Sequence, residues 1–118
     1  MTDKILVNCS STAKEVEQAT ISFIVANAAA ADNNETVLFL TDDSVRLATK
    51  GGAKGFHAKG HEPIQTYISS FVENGGKLWV CPACANPRGI TPDQLIDGAE
   101  LRGALPMVQF AKEAATVL

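Results

Sequence analysis

The stretch that decides the fold is LWVCPACANPRG, residues 78–89. An apolar run ends at Cys81, and Pro82 follows at once. Proline brings no N–H to a strand ladder and suits the first position of a helix. The run therefore reads as a buried strand, KLWVC (77–81), that gives way to a short helical turn and stops before Pro87. A strand leading directly into a helix is the repeating unit of an α/β protein.

Working outward, the same unit recurs. KILVNCS (4–10) is a short β-like run ending in turn-formers. In residues 10–33, Thr12 with Glu15 offers a capping box. Ala13, Val16, Thr20, Phe23 and Ile24 repeat there at helical spacing, and an alanine run favours helix. ETVLFLT (35–41) is a second buried strand, and DDSVRLATK (42–50) begins with residues suited to capping a short helix. GGAKGFHAKGH (51–61) holds four glycines and no usable period, which makes it a loop. Pro63 fits the first position of the next helix, where Ile64, Tyr67, Ile68, Phe71 and Val72 form an apolar stripe that Gly75–Gly76 ends. After Cys84 the pattern predicts a short helix at 91–96, a short strand within 98–104, a last helix at 105–115 and a final strand at 116–118. The sum is a single α/β domain spanning 1–118, three layers deep, with a mostly parallel sheet of about four to five strands.

Composition bounds the function. The chain has 118 residues, 46% of them hydrophobic and 19% charged, which suits a folded domain with its own core and argues against disorder. The net charge of −3 gives no electrostatic footprint for nucleic acid. No apolar run is long enough to span a bilayer, and the N-terminus lacks the pattern of a signal peptide. Three cysteines, an odd and small number, point to a reducing compartment and a cytoplasmic protein with thiols available for chemistry.

In open α/β sheets, ligands bind beyond the carboxyl ends of the strands. That rule gathers Cys9, Asp42–Asp43 and Cys81–Cys84 at one edge. A cysteine between a strand end and a helix start is favoured as thiolate, and Cys84 stands about one turn on. Cys81 and Cys84 are thus the candidate catalytic thiols. Three chemistries compete for them: dithiol exchange, half of a metal site and a persulfide carrier. The C-x-x-C comes after the third strand, late for a thioredoxin-like fold. His57 and His61 have plausible spacing for the other half of a zinc site, but they lie in a glycine-rich loop and no second C-x-x-C exists. Neither a metal nor another cofactor is expected. GGAKG lacks the ending of a phosphate-binding P-loop.

The chain also resembles the DsrE/DsrF-like family of small α/β proteins, which includes sulfur-relay subunits. The resemblance runs over nearly the whole length. It is carried by the first strand and long helix, VLFLTDDSVRLA (37–48), VCPACANPRGI (80–90) and GAELRGALPMVQFAKEA (98–114). In the relay members a cysteine ends the corresponding strand, and a short alanine-rich segment leads to an Arg-Gly. Cys81 with Arg88–Gly89 takes that position here, so the resemblance implies that Cys81 bears the persulfide. It further implies a sulfur carrier or sulfurtransferase, a homo-oligomer (trimer or hexamer) and an exchange with a sulfur donor or acceptor protein. Pro82 and Cys84 replace the small apolar residues of the relay subunits, which keeps dithiol or regulatory chemistry open. The alternative is a non-enzymatic oligomeric binding or assembly subunit whose cysteines are structural or bind zinc.

Five further residues are candidates for substrate binding. Cys9 is a third thiol at the sheet edge, or simply a small core residue. Asp42 either caps the next helix or faces the site. Lys54 and His57 belong to a loop that is either solvated or a basic flap over the cysteines of a neighbouring subunit. Arg88 stands beside the cysteine turn, where it stabilises a sulfur anion or caps a carbonyl.

Overall fold

The computed structural model describes residues 3–10 and 15–117. β1 (Lys4–Cys9), β2 (Glu35–Leu40), β3 (Lys77–Val80), β4 (Ala99–Leu101) and β5 (Ala114–Val117) form one sheet in the order β4-β3-β2-β1-β5. Every pairing is parallel. β1, β2 and β3 hold the longest buried runs because both their faces are covered, as all-parallel sheets require.

The strand order dictates where the helices go. From β1 to β4 the chain steps across the sheet in one direction, then returns to place β5 on the other side of β1. Right-handed crossovers put the helices of the first leg on one face and the helix of the return on the other. Accordingly α1 (Val16–Ala31) and α2 (Ile64–Glu73) join the one-turn α3 (Pro82–Ala85) over Val7, Leu38, Leu40, Leu78 and Val80. The second face, with Leu6, Val37, Phe39 and Trp79, is covered by α4 (Ala104–Ala111) through Phe110. Phe110 meets the Trp79 ring edge-on at 5.5 Å between centroids. The expected three layers are present, but the second helical layer is a single short helix.

The α2 stripe falls as the spacing predicts: Ile64, Ile68 and Phe71 are buried, with Tyr67 and Val72 half-buried beside them. The helix ends where Gly75 turns to φ +85°, and a Cβ on Gly76 would lie 2.3 Å from the Phe71 ring.

Several boundaries move. Pro63 is the N-cap of α2, one residue before the position expected of it. Residues 42–48 form a 3-10 helix instead of an α-helix, and 92–94 another. The last helix stops at Ala111 instead of 115 because β5 already starts at Ala114 to pair with β1. α1 begins at Val16, and the Thr12 half of the expected capping box lies outside the described residues. No helix among the described residues is long and apolar enough to cross a membrane.

Candidate functional site

The carboxyl ends of β2 and β3 are neighbours, and the site is built from the segments into which these two strands lead. After β3, the Cys81 N–H donates to the Leu40 carbonyl at 3.1 Å, one last rung on the ladder. Pro82 then turns the chain into α3, with Cys81 as N-cap. The Cys81 carbonyl accepts from the N–H groups of Cys84 and Ala85 at 3.1 and 2.9 Å. Side chains alternate along a strand. Cys81 follows Trp79 onto the α4 face, and Cys84 packs toward the face of α1 and α2. Both are half-buried.

After β2, Asp42 adopts φ +54°, a left-handed conformation that aspartate tolerates better than most residues. This aims its backbone N–H at Cys84, donating to Sγ at 3.1 Å. Arg88, one turn beyond Cys84, closes the arrangement. Its Nη1 donates to the Cys84 carbonyl at 3.0 Å, its Nη2 to the Asp42 carboxylate at 3.0 Å and its Nε to the Asp43 carboxylate at 2.8 Å. Arg46 reaches the same Asp43 oxygen at 3.4 Å. One guanidinium therefore clasps the cysteine turn to the segment after β2.

The electrostatics separate the groups. Burial pushes the Cys84 thiol up, and the neighbouring Cys81 thiol, within hydrogen-bonding reach, pushes the same way. The Asp42 N–H and the Arg88 charge oppose this without reversing it. Cys84 therefore holds its proton at neutral pH and has an S–H to donate. The hydrogen bond from Arg88 holds the Asp43 carboxyl below its usual value, and Asp43 in turn raises Arg88.

The other residues singled out in the sequence divide. Asp42 and Arg88 join the two cysteines, with Arg88 both an ion-pair partner and a cap on a carbonyl. Cys9 is 2% exposed and sits in the core. Its carbonyl accepts from the Thr41 N–H at 3.0 Å and the buried Ser44 hydroxyl at 2.7 Å. Lys54 is exposed in the turn at 50–55. His57 is also exposed; its backbone bridges to Pro63, and its ring donates to the His61 carbonyl. Neither is brought to the cysteines within the chain. Among the described residues no three His, Cys, Asp or Glu side chains are grouped to hold a metal ion, so the set of His57, His61, Cys81 and Cys84 is not assembled.

The helix-dipole argument for Cys81 weakens, because α3 is a single turn. The aimed N–H of Asp42 is the feature the sequence reading missed. The adjacency of the β2 and β3 ends was its only signal. Beside Arg88 a cleft of about 570 Å³ opens, lined among others by Arg46, Lys50, Phe56 and Gln94.

Comparison with known proteins places the fold and the family. The family model of the DsrE/DsrF-like family matches residues 3–118. The chain is 26% identical to an uncharacterized protein of Methanopyrus kandleri, over 98% of this chain and 93% of that one. It is 28% identical to an uncharacterized protein of Methanocaldococcus jannaschii, over 89% of this chain but 38% of that one. In three dimensions it is similar to the crystal structure of the ychN protein from E. coli. The TM-score is 0.76 at 25% identity, over all of this chain and 98% of the other.

Proposed function

The chain belongs to the DsrE/DsrF-like family, and on that footing we propose that it carries sulfane sulfur as a persulfide on Cys81, with Cys84 as the neighbouring thiol. The observation that supports this most directly is the pairing of a half-buried thiol at the end of a central strand with a second thiol in hydrogen-bonding reach. A carrier cysteine has to meet a partner's sulfur, so it cannot be sealed in the core as Cys9 is. Cys84 keeps its proton, which leaves Cys81 as the nucleophile of the pair.

In use, a donor's sulfane sulfur is attacked by the Cys81 thiolate, and the donor leaves as a thiolate. The Cys84 S–H donates to the sulfur that gains charge. Arg88 adds a nearby cation, already anchored on Asp42 and Asp43. An acceptor protein or small thiol then takes the outer sulfur.

A homo-oligomer, trimeric or hexameric, belongs to the same reading. α4 exposes Leu105 (67%) and Val108 (45%) on the thinly covered face of the sheet, the face on which Cys81 also lies. A second copy burying these side chains would also border the cysteine, where Lys54 or His57 of that copy could reach it. The same face supports the second reading, an assembly subunit without sulfur chemistry.

Mass spectrometry after incubation with a persulfide donor tests the carrier role. A gain of about 32 Da, one sulfur atom, on Cys81 is expected, lost in Cys81→Ser and kept in Cys9→Ser. No adduct on Cys81 at any donor concentration leaves the assembly reading. Light scattering tests the oligomer, and a mass of 12.4 kDa in solution overturns it.

A further inference from the structure

A carrier with one working thiol has no use for a second one held as Cys84 is held. Its sulfur accepts from the Asp42 N–H and lies within hydrogen-bonding reach of the Cys81 thiol. Its carbonyl is fixed by Arg88. The Asp42 contact requires a left-handed backbone at a residue that is not glycine, a conformation most side chains avoid. A cysteine acting only as a small core hydrophobe needs none of these contacts. A backbone N–H aimed at sulfur serves a sulfur that passes through a charged state, since hydrogen bonding to the charged form favours it.

Resting on the persulfide reading above, we propose that Cys84 is a resolving thiol: it discharges the Cys81 persulfide as hydrogen sulfide and leaves a Cys81–Cys84 disulfide, which an external dithiol reduces. The step balances within the site. Cys81 carries a terminal sulfur with one negative charge. Cys84 passes its proton to that terminal sulfur, and its sulfur electron pair attacks Cys81 Sγ. The bond between Sγ and the terminal sulfur breaks, and hydrosulfide leaves with that pair and with the charge. The terminal sulfur is reduced from the sulfane level to sulfide, while the two cysteine sulfurs are oxidised to the disulfide. A dithiol then reopens the bond through a mixed disulfide and ends as a disulfide itself.

The geometry gives each contact a part. Because Cys84 is protonated at rest, it does not compete with Cys81 for the sulfur donor. The persulfide supplies the base that the resting site lacks, so Cys84 is activated only after loading. The Asp42 N–H steadies the thiolate at that moment. The persulfide's lifetime is then a race between an acceptor and Cys84. In the absence of an acceptor the protein becomes a sulfide-releasing persulfide reductase.

The test loads the reduced full chain with inorganic polysulfide and desalts it rapidly. Intact mass and released sulfide are then followed together. The wild-type protein is expected to show a transient gain of about 32 Da, then a mass about 2 Da below the reduced chain, with stoichiometric sulfide. Cys84→Ser and Cys84→Ala should both hold the adduct at least about tenfold longer and release no sulfide burst. If wild type and both variants hold the adduct equally long, the resolving role is overturned while the carrier role stands. If none takes up sulfur on Cys81, the carrier role falls first. A measurement on the unaltered protein guards against misfolded variants. Peptide mapping of the discharged wild type should find Cys81 linked to Cys84, and mapping that finds both as thiols overturns the proposal.

Discussion

β1 and β3 run to the same edge of the sheet, and each delivers a cysteine there. Cys9 is still inside its strand, in register with Leu40, and its carbonyl is closed by Thr41 and Ser44. Cys81 stands one residue beyond its strand, half-buried, where Pro82 turns the chain away. The segment after β2 lies between them and treats them oppositely. Its Ser44 roofs Cys9, while its Asp42 reaches out to the Cys84 turn. Position at a strand's carboxyl end thus does not by itself leave a thiol accessible. The continuation of the neighbouring strand decides between core and site.

The sharpest way to break this comparison is to exchange Cys81. In Cys81→Ser the fast phase of alkylation by a neutral haloacetamide should fall at least about tenfold, while Cys9→Ser leaves it unchanged. If the fast phase survives in Cys81→Ser and vanishes in Cys84→Ser, the two thiols of the turn have their roles reversed. The cost of disturbing the sealed end appears instead in stability. Cys9→Ser places a hydroxyl in an apolar pocket and should lower unfolding free energy by about 1–3 kcal/mol. Ser44→Ala leaves the Cys9 carbonyl with one donor fewer and should cost about 1–2 kcal/mol in a denaturant titration. Ser44→Ala should also make Cys9 alkylate measurably where it did not before. An unchanged Cys9 would mean that the hydroxyl is no part of the seal.

The contrast also marks how far the sequence could be read. The parallel sheet was legible because VLFL and LWV are unbroken apolar runs, and because the α2 stripe has a clean helical period. Cys81, Cys84 and Arg88 were legible as one group because they share a turn and its continuation. Asp42 was visible only as a residue type. Its contribution is a backbone N–H in a left-handed conformation, which aspartate permits but does not announce. Lys54 and His57 were drawn toward the site by charge alone, and nothing local ties that loop to β3. The rule that ligands sit at the topological switch point would have pointed between β1 and β5. The two thiols of the turn lie two strands away, at the end of β3, where Pro82 turns the chain into α3.

A smaller effect sharpens the electrostatic half of the comparison. Removing Arg88 takes away a charge that favours the Cys84 thiolate. In a Cys81→Ser background, Arg88→Ala should therefore move the alkylation profile of Cys84 to higher pH. A shift to lower pH would show that burial by the Arg88 side chain, and not its charge, governs that thiol.

The smallest effect is on the pH dependence of folding, and the displaced groups set its sign. Asp43 is held below its ordinary 3.8 by Arg88, so the folded chain binds fewer protons there than the unfolded one. Its contribution is present above 3.8 and is lost as pH falls through the lower folded value. Cys84 is displaced the other way, from 9.0 upward, so its contribution is complete below 9.0 and is lost as pH rises beyond it. The Arg88 clasp therefore has an acid limit, set by Asp43, while the alkaline limit belongs to the burial of Cys84, which Arg88 opposes. Asp43 is largely in solvent, and salt screens such a pair. Denaturant midpoints of wild type and Arg88→Ala should thus differ most near neutral pH and at low salt, and converge as pH falls below 3.8 and Asp43 takes up its proton. A gap that stays constant through that range would mean that Arg88 stabilises the turn through the Cys84 carbonyl alone. The carboxylates after β2 would then be bystanders to it, and the segment that seals Cys9 would have no hold on the cysteine turn beyond the Asp42 N–H.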